Sequence, residues 1–153
     1  FETAANRTPD KVFFIFKDRE KTYRDFLETV NRVANGFLSL GIRKGDRIAI
    51  LLSNCIEFPV AWLAANMIGA VMVPVNTRFV ATEIAYILNH SEARMLVTSA
   101  QYLKVVAPIR KNNPHLKMVI NVDNYNTDNT LPYSALLDNP AVPKGADIRE
   151  EDL

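Results

Sequence analysis

Short, nearly continuous apolar runs alternate along this chain with stretches where apolar residues recur every three or four positions. Runs at 47–52 (RIAILL), 71–75, 95–98 (MLVT) and 117–122 (KMVINV) have the length and texture of strands buried on both faces, as in a parallel sheet. Between them the spacing predicts helices over 56–68, 83–89 and 102–111, with Ser53 and Asn54 placed to cap the first. Upstream, Tyr23, Phe26, Leu27, Val30, Val33, Ala34 and Phe37 predict a longer helix. Thr22 and Asp25 would open it as a capping box, and Gly41 would stop it. Residues 11–23 before it read as a β-hairpin turning at Lys17-Asp18-Arg19-Glu20.

Strand and helix thus alternate in the rhythm of right-handed βαβ crossovers. The expected fold class is α/β: a parallel sheet of about four core strands with flanking helices, preceded by the hairpin. The chain divides into an N-terminal segment with the hairpin (1–22), an α/β subdomain (23–122), and a polar loop and linker (123–153) holding one short apolar piece at 133–137.

The longest uncharged run, 58–77, has a membrane span's length but is interrupted by Pro59, Asn66, Gly69 and Pro74. A proline cannot continue a helix, so two buried elements joined by a turn are expected instead of a transmembrane segment. Composition agrees: 48% apolar and 23% charged residues suit a globular chain, and 153 residues can bury roughly 70% of the extended surface. A net charge of +1 argues against nucleic acid or an anionic membrane as partner. The lone Cys55 rules out an internal disulfide and fits a reducing cytoplasm. The chain opens on polar FETAANRTPD without an apolar signal region or an initiator Met, so a missing or trimmed segment is expected.

The five glycines are too dispersed for GxGxxG or GxxxxGK[ST], and one Cys with two His gives no zinc spacing. No catalytic or metal residue is assigned. Cys55 and His90 are weighed as a nucleophile pair against a buried thiol and a helix-end histidine. Arg110, Lys111, His115 and Lys117 read as a solvated helix end, residues 150–152 as a solvated linker, and Phe58 and Trp62 as core or pocket wall. Open parallel sheets bind ligands at the carboxyl ends of their strands. Ser53-Asn54, Asn76-Thr77-Arg78 and Ser99 follow the first three predicted core strands. Arg78 is the cation among them, either a solvated loop residue or an anion contact, since guanidinium matches phosphate geometry.

Three stretches, TYRDFLETVNRVANGFLSLGIRKGDRIAILLSNCIEF, IGAVMVPVNTRF and EIAYILNHSEARMLVTSAQ, fall in an order that resembles the N-terminal part of the adenylate-forming acyl-CoA synthetases, the AMP-binding ligases. Within that family the look is nearest the crotonobetaine/carnitine–CoA and fatty-acid–CoA ligase branches. The resemblance implies a ligase using ATP, Mg and coenzyme A on a small-molecule carboxylic acid. It also implies a phosphate loop and catalytic residues beyond 153, so an inactive partial subdomain is expected here. Surface meant for the missing layers leaves self-association into a homo-oligomer open. The arginine of the family's Asn-x-Arg stretch contacts a coenzyme A phosphate in some members; Arg78 holds that place, with Asn-Thr-Arg where many relatives have Asn-Pro-Arg. The alternative is a free-standing α/β binding or assembly module that shares only the fold.

Overall fold

The computed structural model describes residues 1–123 and 129–142. A short helix α1 (Glu2–Arg7) leads into the antiparallel hairpin β1 (Val12–Phe16) and β2 (Arg19–Thr22), followed by α2 (Tyr23–Ser39). Then come β3 (Arg47–Leu51), α3 (Glu57–Met67), β4 (Val71–Pro74), α4 (Ala81–His90), β5 (Met95–Thr98), α5 (Ala100–Arg110) and β6 (Met118–Asn121). Two further short elements, β7 (Leu131–Pro132) and α6 (Ser134–Leu137), close the described chain. The main sheet is wholly parallel, in the order β4-β3-β5-β6-β7.

The alternation of each strand decides which helices cover which face. Ile48 and Ile50 of β3, with Met95 and Val97 of β5, point into a core with α2, α3 and Leu136 of α6. Ala49, Leu51 and Leu96 point the other way, to Ile84 and Leu88 of α4 and Val106 of α5. Helices therefore lie on both faces, which is why the strands carry no polar alternation. Each fully buried Ile or Leu stabilises the fold by about 1.5–3 kcal/mol. Both edge strands contain a proline, Pro74 in β4 and Pro132 in β7, which limits pairing with other chains.

The capping box of α2 forms as expected: Asp25 N donates to Thr22 Oγ1 at 3.1 Å, and Thr22 N donates to Asp25 Oδ2 at 3.4 Å. The Thr22 hydroxyl, which donates to Asp25 Oδ2 at 2.8 Å, and then the Thr22 N–H hold the Asp25 carboxyl below its usual range. Gly41 and Gly69 sit at φ +87° and +69°, the left-handed region that a helix stop needs. Gly36 has another role. A Cβ there would stand 2.9 Å from Leu136 Cα, so its absence lets α6 lie against α2.

Three expectations change. The hairpin turn is only Lys17-Asp18, with Arg19 and Glu20 already in β2. Ser53 and Asn54 do not cap α3, which starts after Ile56 without a side-chain cap; Ser53 instead bonds Tyr102 Oη at 2.7 Å. About four core strands become five, because β7 pairs with β6 through Ile120 and Leu131. The stretch expected as loop and linker thus adds a strand and a helix, with Tyr133 and Leu136 buried. Residues 150–152 lie outside the described residues. No helix among the described residues is long and apolar enough to cross a membrane.

Candidate functional site at the carboxyl edge of the sheet

Five parallel strands bring five loops to one edge. After β4, the chain turns at Thr77-Arg78. Asn76 organises that turn: its Oδ1 accepts from Arg78 N at 2.9 Å, and its carbonyl accepts from Phe79 N at 3.1 Å. A short polar side chain folded back on the backbone two residues on makes an Asx turn, giving locally the restraint a proline would give. The Arg78 side chain is exposed, with no hydrogen-bond partner among the described residues. On the other side of Arg78, Val80 N donates to Glu83 Oε2 at 2.9 Å, which fixes the start of α4.

The loops after β3, β5 and β6, with Lys17 and Arg19 of the hairpin, line an open cavity of about 420 Å³. Its polar groups are mostly tied together. Gln101 Nε2 donates to Ser53 Oγ at 3.2 Å, and Ala100 N donates to Asp123 Oδ2 at 2.7 Å, so Asp123 caps α5 from the neighbouring strand. Thr98 Oγ1 donates to Leu51 O at 2.9 Å, stitching β5 to β3. Ser99 is the exception: it is 8% exposed and its Oγ has no partner.

Cys55 also lines this cavity. Burial pushes its thiol up to about 11, with the Glu57 carboxylate adding to the effect. A protonated thiol is a poor nucleophile. His90 does not join it, because α4 runs back across the sheet and ends at the amino edge, where His90 stacks on Tyr86 at 5.4 Å. Arg110 is structural, donating to the carbonyls of Asn129 and Lys117. Phe58 packs against the core, but Trp62 meets it edge-on at 6.4 Å and is 45% exposed, so Trp62 is not a core residue. Among the described residues no group of three His, Cys, Asp or Glu gathers as a metal set.

Gln101, Asp123, Lys17 and Arg19 were not legible as site residues. Gln101 and Asp123 could have been found by the rule that located Arg78, since each closely follows a strand.

The open, doubly wound parallel sheet puts the chain in the α/β class whose ligands bind outside the carboxyl ends of the strands. The chain belongs to the AMP-binding enzyme family, whose pattern matches residues 1–153. It is 46% identical over 109 residues to a crotonobetaine/carnitine–CoA ligase of Salmonella paratyphi B, covering 68% of this chain and 21% of that protein. The chain therefore spans about a fifth of the length of the curated relatives it matches. Among solved structures, it superposes on the anthranilate CoA ligase AuaEII with bound anthranoyl-AMP at a TM-score of 0.94 and 26% identity, covering 99% of this chain and 29% of that one. A Mycobacterium tuberculosis fatty acyl CoA synthetase matches at a TM-score of 0.88 and 28% identity, covering 99% and 30%.

Proposed function

We propose that this chain is the N-terminal part of an ATP-dependent acid–thiol ligase. In that reaction a carboxylate attacks the α-phosphate of Mg-ATP, giving an acyl-adenylate and pyrophosphate. The thiol of coenzyme A then displaces AMP to form the thioester. The part described here is not active alone; it supplies a rigid α/β layer acting in the cytoplasm, and Arg78 as a contact for a coenzyme A phosphate. One observation carries the reading: the family's pattern runs the length of the chain, and the fold presents the Asn-x-Arg arginine exposed at the edge where parallel sheets take ligands. Guanidinium pairs with phosphate through two parallel hydrogen bonds, and the Asx turn restrains the backbone that carries this one. The acid is a small carboxylic acid, with betaines and fatty acids, named in the relatives, as first candidates.

The test uses a form of the protein extended to the relatives' length. Carboxylate-dependent ATP–pyrophosphate exchange and coenzyme A-dependent thioester formation are expected, with no exchange from the 153-residue chain. Exchange by the short chain contradicts its inactivity. No exchange by the long form with either acid class leaves a binding or assembly module.

A further inference from the structure

Beneath the hairpin, the carboxyl-edge cavity has a neighbour. A second cavity of about 410 Å³ opens between β2, α2 and α3. Arg19 and Glu57 line both, so the two form adjoining chambers of one cleft.

The charge along this cleft follows from strand alternation. In the segment KDREK, Arg19 and Lys21 share one face of β2, and both line the second chamber. Lys17, at the turn with φ 53°, lines the first. Arg32 enters from α2, where its Nη1 donates to the carbonyls of Asn139 at 2.9 Å and Leu137 at 3.2 Å. Those bonds fix the guanidinium plane while leaving other N–H donors on the same group. Four cations thus face two carboxylates, Glu57 and Asp123. Asp123 is already engaged by Ala100 N.

Each chamber also holds a buried hydroxyl with no partner. Tyr133 is 5% exposed and Ser99 8% exposed, and neither oxygen makes a hydrogen bond. Leaving a buried hydroxyl unpaired costs about 1–3 kcal/mol, so each such group calls for a reason; Asn31, Asn35 and Asn113 also keep unpaired amide oxygens, away from the cleft. Burial raises the Tyr133 phenol well above its usual range, keeping it a proton donor.

We infer that the cleft beneath the hairpin is an anion site of the phosphate class, built for an elongated, multiply charged ligand such as a diphosphate. The cations supply charge-assisted hydrogen bonds, and the two hydroxyls donate at opposite ends. The inference does not rest on Arg78, which lines neither chamber.

The 153-residue chain is titrated with inorganic pyrophosphate, and separately with inorganic phosphate, by calorimetry at constant ionic strength. Saturable pyrophosphate binding is expected, with phosphate weaker. The double variant Arg19→Ala/Lys21→Ala should lose affinity by about ten-fold or more, as removal of two charge-assisted contacts implies. Both positions lie on the hairpin away from the main sheet, and circular dichroism checks that the fold persists. Tyr133→Phe, which keeps the ring, should lose about three- to ten-fold, one neutral hydrogen bond's worth. Lys111→Ala, in the basic group at the other edge, should leave affinity unchanged. Absence of saturable binding overturns the assignment. So does an equal loss in Lys111→Ala, or full affinity in the folded double variant.

Discussion

The two edges of the main sheet are built from the same strands but differ in how completely their polar groups are paired. At the amino edge the groups close on one another. Arg47 Nε donates to Ser91 O at 2.7 Å, and its Nη2 meets Glu92 Oε2 at 2.6 Å. Arg94 pairs with Asp46 at 3.0 Å, and Gly45 N donates to Gly69 O at 2.8 Å. At the carboxyl edge, Ser99 Oγ is buried without a partner and Arg78 is exposed. One edge is finished by its own residues; the other is mostly paired as well, through Ser53, Gln101 and Asp123, but leaves these two groups over. In a parallel sheet every crossover helix returns the chain to the amino edge, so variation there disturbs the connections.

Breaking the amino edge should therefore cost stability. Arg47→Ala removes the bonds to Ser91 and Glu92 and is expected to lower unfolding free energy by about 1–3 kcal/mol in urea titration, mostly through the Ser91 carbonyl, because the ion pair is partly exposed. At the carboxyl edge the opposite holds. Ser99→Ala deletes a hydroxyl that bonds nothing, so stability should move by less than about 0.5 kcal/mol or rise. A loss above about 1 kcal/mol would show that the hydroxyl is paired after all.

A further effect, visible only at high pH, concerns Cys55. Burial raises its folded thiol to about 11 from an ordinary 9.0, so the native state keeps the proton that the unfolded state releases between those values. Stability should fall as pH rises through that window and be flat below it. Alkylation of the native protein should be slow at pH 8 and climb toward pH 11; a rate that levels off near pH 9 contradicts the burial argument.

Most of the sheet could be read from the sequence because buried parallel strands announce themselves as uninterrupted apolar runs. The run at 95–98 coincides with β5. The strand β7 could not be read, since two residues carry no periodicity and only pairing with β6 makes Leu131 and Pro132 a strand. Helix α1 is likewise too short, at 6 residues, for a stripe. Trp62 misleads because α3 is apolar on every side, so its sequence does not tell the covered face from the open one. The site divides in the same way. Arg78 stood out as the charge that ends a long apolar run, whereas the cleft beneath the hairpin joins residues near 19, 57, 99 and 133 that meet only in three dimensions.

The central claim is that the carboxyl edge meets coenzyme A through Arg78. Arg78→Ala, in a form of the protein extended to the relatives' length, tests it most directly by comparing the two half-reactions. Losing one charge-assisted phosphate contact should raise the coenzyme A requirement by about 1.5–3 kcal/mol equivalent while acid-dependent ATP–pyrophosphate exchange keeps its rate. An equal fall in both half-reactions, or no change in either, would contradict the account.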